Sequence, residues 1–290
     1  MTETMNIKKL ERNHKIEVIV KNVILYGFLT IMAVVVVIPF YWMIITALKS
    51  RTEINLIPPT FFPQVLMFSN FAESMLQADF SRYIYNTLFV GVISTFGTVI
   101  TTILAAFAFA RLEFKGKNIL FSLFLATMMI PGEMMVITNY ITVARLGWMN
   151  TYQALIVPFI VSVFYIYLLR QNFKQIPNEL YLAAKVDGTS DFKYLLRIMI
   201  PIAMPTIISI TILKLIGSWN AYIWPNLVAD DDSMRLITNG LRRAFTDDYG
   251  RSQIHLQMAA TTVVTIPLLI VFLFLRKYIM RGVSRSGIKG

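Results

Sequence analysis

The sequence predicts an all-α polytopic membrane protein of six transmembrane helices, with both termini cytoplasmic and a short cytoplasmic helix pair between the fourth and fifth spans. Three observations predict it. The chain is 56% hydrophobic and only 15% charged, with a mean hydropathy of +0.62, against roughly 25% charged residues in soluble domains. Six long windows run almost free of charge, and a bilayer core of about 30 Å needs about 20 apolar residues as a helix. Lysine and arginine are unevenly shared among the intervening loops.

Taken in order, the expected spans cover about 22–48, 83–110, 118–135, 148–169, 198–222 and 254–275. The first follows a polar segment, 1–21, and is far longer than the h-region of about 7 to 15 residues of a cleaved signal, so it is expected to stay as a helix. The segment "RTEINLIPPTFFP" after it is too rich in proline to continue a helix. The third window carries the single charge Glu133 after Pro131-Gly132, so the span ends or breaks there. Glu133 itself reads as structural near the external end, with a proton site as the other reading. The fifth contains Lys214. Helices are the default because a lone strand in lipid leaves its backbone groups unpaired. The whole of 22–280 is read as one transmembrane domain and 281–290 as a cytoplasmic tail.

Cytoplasmic loops carry the excess of Lys and Arg. One set of segments holds Lys8, Lys9, Arg12, Lys15 and Lys21, then Arg111, Lys115 and Lys117, then Arg170, Lys174, Lys185, Lys193 and Arg197, and finally Arg276, Lys277, Arg281, Arg285 and Lys289. The other set is poorer, with Lys49, Arg51 and Arg82, then Arg145, then Arg235, Arg242, Arg243 and Arg251. The richer set is assigned to the cytoplasm. The net charge of +11 is therefore a topology signal and not a nucleic-acid footprint.

Composition also excludes chemistry. There is no cysteine, and the two histidines, His14 and His255, lie far apart, so neither a thiolate site nor a metal cluster is expected. No Gly-x-x-x-x-Gly-Lys-Ser/Thr loop is present, so the chain is not expected to hydrolyse ATP. Trp42, Trp148, Trp224 and Tyr278 read as interfacial anchors, and the 16 methionines as adaptable packing.

The most organised polar stretch is "ELYLAAKVDG", Glu179–Gly188. Pro177 suits the start of a helix, Glu179 favours its positive end, and Gly188 suits a left-handed stop. Leu180, Ala183, Ala184 and Asp187 share one helical face, with two small side chains at its middle. "TSD" then offers caps for a second helix, Phe192 to Met199, leading into the fifth span. A solvated connector and a docking element both fit these residues.

At this point the residues carry a resemblance. "IPNELYLAAKVDGTSDFKYLLRIMIPIAMP" resembles the cytoplasmic signature loop of ATP-binding cassette importer permeases, with its pattern Glu-Ala-Ala, three residues, Gly. "PFYWMIITALK", "LIPPTFFP", "AAFAFARLEFKGK", "MMIPGE", "LGWMNTYQALIVP", "GSWNAYIWP" and "FLRKYIMRGVSRSGIKG" are similar, in the same order, to the carbohydrate-uptake branch that includes the smaller permease subunit of the maltose transporter. The resemblance implies a non-catalytic subunit of a sugar importer in the bacterial plasma membrane. It implies a homologous second permease, two ATPase subunits that bind ATP and Mg, and an extracytoplasmic sugar-binding protein as partners, with no cofactor bound by this chain. The loop 177–199 would be the coupling element, through Glu179, Leu182, Ala183, Ala184, Asp187 and Gly188.

One position departs from the pattern. Alignment of Ala183, Ala184 and Gly188 puts Leu182 where the family has Glu. Docking is then more apolar here, or Glu179 takes over the polar contact, or coupling is weakened. Inside the membrane, Lys214, Trp219, Asn220 and Tyr222 combine hydrogen-bonding groups with aromatic faces and form a candidate substrate pathway. Lys214 snorkelling outward or bonding a backbone carbonyl is the other reading. A secondary transporter or channel also accommodates six helices, but it leaves the signature loop without a partner.

Overall fold

The computed structural model describes residues 2–245 and 253–284, and among them every regular element is helical. The chain runs α1 (Thr2–Ala47), α2 (Ser69–Leu76), α3 (Phe80–Ala110), α4 (Lys117–Thr127), α5 (Val136–Arg145), α6 (Tyr152–Ile156) and α7 (Val163–Lys174). It continues through α8 (Asn178–Val186), α9 (Asp191–Tyr194), α10 (Ile200–Trp219), α11 (Ile223–Val228), α12 (Ile237–Ala244) and α13 (Ile254–Ser284). Of the expected charge markers, Arg251, Arg285 and Lys289 lie outside the described residues, as does most of the tail 281–290; the side chain of Tyr278 is likewise outside the description.

Two compact units divide the chain: Met1–Ser74 with Ser252–Thr262, and Met75–Arg251 with Val263–Gly290. In the first, Asn70 donates from Nδ2 to the carbonyls of Ala47 (2.8 Å) and Lys49 (2.9 Å), fastening α2 to the end of α1. Buried Glu53 organises the proline-rich turn by accepting from Thr60 Oγ1 (2.7 Å) and the amide of Gln64 (3.0 Å). Trp42 packs edge-on to Phe61 and keeps an exposed side chain.

Among the described residues, four helical stretches are long and apolar enough to cross a membrane: Ile16–Ala47, Phe80–Ala110, Asp191–Trp219 and Ile254–Phe274. Two bent pairs also qualify, Lys117–Thr127 with Gly132–Arg145 at 88°, and Tyr152–Phe159 with Val163–Lys174 at 41°. The helix containing the first span begins before residue 22 because a polar segment continues a helix freely once it leaves the lipid. The third span is not straight to 135: its axis turns at Pro131-Gly132, where an N–H is missing. The expected second cytoplasmic helix is not a separate piece. α9 passes through a π-helical turn, Leu195–Met199, directly into α10, and such a turn absorbs the hydrogen bond that Pro201 cannot make.

The second unit is centred on α3, which packs against both α7 and α10. Its contact face is small and hydroxylic: Gly91 lies against Leu215 and Ser218, Gly97 against Ile160, and Ser94 Oγ is 3.3 Å from Ser218 Oγ. Small residues let helix backbones approach where the hydrophobic effect supplies no drive between them. A second apolar cluster joins Val90, Leu155, Val228 and Leu236 around Trp224. Trp224 is thus a correction to the anchor reading: it is 7% exposed and donates from Nε1 to Ala154 O at 2.9 Å. A buried indole needs such an acceptor, and Trp148 packs against the same cluster.

Candidate functional site

The bend between α6 and α7 creates the first feature of interest. A break at membrane depth frees carbonyls that must be bonded within the protein. Phe159 O accepts from Thr98 Oγ1 at 3.0 Å, and Ile160 O accepts from Thr101 Oγ1 at 2.8 Å, both from α3. Lys214 of α10 also reaches Phe159 O, with Nζ at 3.4 Å and 5.9 Å from the centre of the Phe159 ring. Ser162 restarts the helix by accepting the amide of Tyr165.

A cleft of about 770 Å³ opens beside this break. Lys214, Asn220 and Tyr222, all expected, line it; Trp219 does not. Helical geometry explains the difference. On α10, residues 214, 217 and 218 share a face at spacings of three and four, whereas 219 is five positions from 214 and points elsewhere. The aromatic faces instead come from Phe159, Tyr165 and Trp224, with Phe159 and Trp224 edge-to-face at 5.6 Å. Hydroxyls come from Ser94, Ser162 and Ser218. The Ser162 and Tyr165 contributions depend on the helix break, and the local signal that could have found it is Pro158, whose missing N–H falls just before the bend. Asn220 is partly committed, donating from Nδ2 to Ile216 O at 3.0 Å. Tyr222 accepts from Arg242 Nη1 at 2.5 Å, which ties the cleft to α12. Such a lining suits a polyhydroxylated solute: flat faces for C–H surfaces, hydroxyls for hydrogen bonds, and one cation.

The second feature is α8 and its surroundings. Pro177 stands just before the helix with φ −54° and ψ 137°, and Gly188 ends it with φ +70°. The stop is a Schellman closure, with Thr189 N–H to Ala184 O (2.8 Å) and Gly188 N–H to Lys185 O (3.0 Å). Ser190 then caps α9 by accepting the amide of Lys193. Between the two helices, Asp191 Oδ1 accepts from Tyr181 OH and pairs with Lys185 Nζ, each at 2.7 Å. The hydrogen bond that Lys185 donates to Asp191 pushes its ammonium pKa up. Burial first, and then its bond to Asp191, push the Tyr181 phenol up, so it stays a neutral donor.

The face expected to present both alanines is split by the fold. Ala184 is 6% exposed and lies in the core with Phe173, Tyr194 and Leu195, while Ala183 faces outward. Ala184 therefore allows α8 to approach its own protein closely, and it is not surface for a partner. Glu179, Leu182, Ala183 and Asp187 remain outward, and Leu182 is 55% and Val186 87% exposed. Val186 and the exposed Phe192 are additions that helical periodicity alone did not single out.

Arg111, at the end of α3, locks this element from within. Its Nη2 donates to Phe173 O (3.0 Å) and Ile176 O (2.5 Å), and Nη1 reaches Asn178 Oδ1 (3.4 Å). A guanidinium at the carbonyl end of α7 complements the helix dipole, and the same group touches the first residue of α8. Arg170 of α7 reciprocates by donating from Nε to Phe109 O at 3.0 Å near the end of α3. Among the described residues no group of His, Asp and Glu is arranged to hold a metal.

Residues 97–285 match the family model described as "binding-protein-dependent transport system inner membrane component". The chain is 30% identical over 283 residues to the trehalose/maltose transport system permease protein MalG of Thermococcus litoralis, covering 94% of this chain and 99% of the relative. It is 28% identical over 261 residues to the arabinooligosaccharides transport system permease protein AraQ of Halalkalibacterium halodurans (89% and 93%). To the sn-glycerol-3-phosphate transport system permease protein UgpE of Rhizobium meliloti it is 27% identical (92% and 97%). Its fold matches a chain in a crystal structure of a bacterial ABC transporter involved in the import of the acidic polysaccharide alginate, with a TM-score of 0.79, 21% identity, and coverage of 89% and 96%. The broken spans, the α8 element between α7 and α9, and these similarities lead to one conclusion: the chain belongs to the binding-protein-dependent transport system inner membrane components, the multi-pass, non-catalytic permease subunits of ABC importers.

Proposed function

We propose that this chain is the permease subunit of an ATP-driven sugar importer, forming a translocation pathway with a homologous second permease. Six spans follow when each bent helix pair is counted as one, and the excess of Lys and Arg in the corresponding loops supports a cytoplasmic location for both termini and α8. Two ATPase subunits, holding ATP and Mg, dock on the loop 177–199, and an extracytoplasmic binding protein delivers the sugar. Sugars are the natural solute because the cleft offers aromatic faces and hydroxyls, and because relatives named for oligosaccharide, disaccharide and glycerol-phosphate transport align over most of the chain.

The observation that carries this reading is the fixation of α8. Its inner face is held by Ala184, by the Tyr181 and Lys185 contacts to Asp191, and by Arg111, while its outer face is left exposed. α9 continues into α10, and α10 carries Lys214 of the cleft. A displacement imposed on α8 is thus delivered to a cleft-lining helix, whereas a loose connector would absorb it. ATP-driven approach of the ATPases would bias the inward- and outward-facing states through contacts that differ between them.

Reconstitution tests this. Proteoliposomes holding this chain with the second permease, the ATPases and the binding protein should take up sugar only with internal ATP, and the binding protein should stimulate hydrolysis. Gradient-driven uptake by the solitary chain would contradict the proposal.

A further inference from the structure

A pocket of about 480 Å³ lies where the end of α7 meets the α3–α4 turn and the first turn of α4, and it shares no lining residue with the cleft. Its charged lining is Lys117, Arg170 and Lys174 against the single carboxylate Glu113. Glu113 pairs with Lys117 at 3.2 Å and is itself nearly fully exposed, so two cations remain uncompensated. Arg170 is only 7% exposed. Its Nε is used on Phe109 O, and its guanidinium carbon lies 3.7 Å from the centre of the Phe121 ring. Among the described residues no carboxylate pairs with it and its terminal Nη groups meet no protein acceptor. Arg170 lines the pocket with its Nη groups free of protein acceptors, which leaves the guanidinium open to an anion from outside the chain.

The first turn of α4 adds to the positive field. Gly116 occupies the capping position with φ +81° and has no side chain to accept the amides of the turn that includes Asn118 and Ile119, both pocket-lining. From the same turn an apolar stripe, Ile119, Leu120 and Leu123, continues along the exposed face of α4. A free phosphate has no use for such a stripe; a phospholipid does.

We propose that this pocket binds the phosphate of an anionic phospholipid headgroup, with the acyl chains lying along Ile119, Leu120 and Leu123. Arg170 and Lys174 neutralise the phosphate, and the bound lipid steadies the turn between α3 and α4 from which Arg111 reaches α8. Basic pockets between membrane helices on the cytoplasmic side suit such headgroups. The choice of cytoplasmic leaflet rests on the orientation proposed above; the binding chemistry does not.

The test is lipid titration by native mass spectrometry of the full chain, purified with its associated subunits and delipidated in a neutral detergent. Phosphatidylglycerol should bind at least about fivefold tighter than phosphatidylcholine, whose choline offsets its phosphate, and Lys174→Gln should weaken phosphatidylglycerol binding about fivefold and phosphatidylcholine binding less. Millimolar inorganic phosphate should not compete. Equal affinity for the two lipids, or wild-type affinity in Lys174→Gln, would overturn the proposal. Competition by inorganic phosphate at the strength of the lipid would overturn the lipid assignment. A phosphatidylglycerol preference together with access to residues 113–117 only from outside the cell would leave the site standing and overturn the orientation instead.

Discussion

The position of Lys214 is compatible with both readings considered for it. Its ammonium bonds a carbonyl freed by the helix break and also lines the cleft. Lys214→Met should lower uptake without loss of assembly, because Thr98 still satisfies Phe159 O; unchanged uptake with normal assembly would assign the lysine a structural role alone. Leu182 is outward and half-exposed, so Leu182→Glu should preserve or raise transport-coupled ATPase activity. If that change abolished assembly while leaving the membrane fold intact, docking at α8 would be apolar by adaptation. Gly240 tests packing instead: an added Cβ would sit 2.5 Å from the Tyr83 ring, so Gly240→Ala should destabilise by about 1–3 kcal/mol, visible as a lower Tm of the purified protein. Some of these residues were legible in the sequence and some were not. Lys214 stood out because a charge in an apolar run is rare, but Trp219 and Trp224 look alike on paper, and only the phase of α10 and the acceptor at Ala154 separate them.

At the scale of elements, apolar run length made the long helices readable, since the bilayer sets the length. The breaks were half readable. Pro131-Gly132 marks one in the sequence and Pro158 is a signal for the other, but the bonds that hold the α6–α7 bend come from Thr98 and Thr101, more than fifty residues away. Thr98→Val and Thr101→Val should each cost about 0.6 kcal/mol, up to about 1.7, and the pair together should lower the Tm further. The ends of α8 were legible because Pro177 and Gly188 act locally. Its facing was not: helical spacing groups Ala183 with Ala184, but the contact with Phe173 and Tyr194 that turns Ala184 inward is a tertiary choice. Asp191 holds both Tyr181 and Lys185, so Asp191→Asn should loosen α8 from α9. ATP hydrolysed per sugar imported should then rise at least about fivefold, with assembly retained; an unchanged ratio in proteoliposomes would show that the clamp transmits nothing.

For the whole molecule, the central claim is that one side of α8 meets an ATPase while the other side is bound into the permease. The native absence of cysteine makes this directly measurable. Ala183→Cys and Ala184→Cys, each in the otherwise thiol-free chain purified with its ATPase subunits, can be treated with a short bifunctional thiol reagent against single cysteines in the ATPase. The account predicts nucleotide-sensitive cross-linking from position 183 and none from position 184. Equal cross-linking at both positions, or at neither while the complex stays assembled, would contradict it.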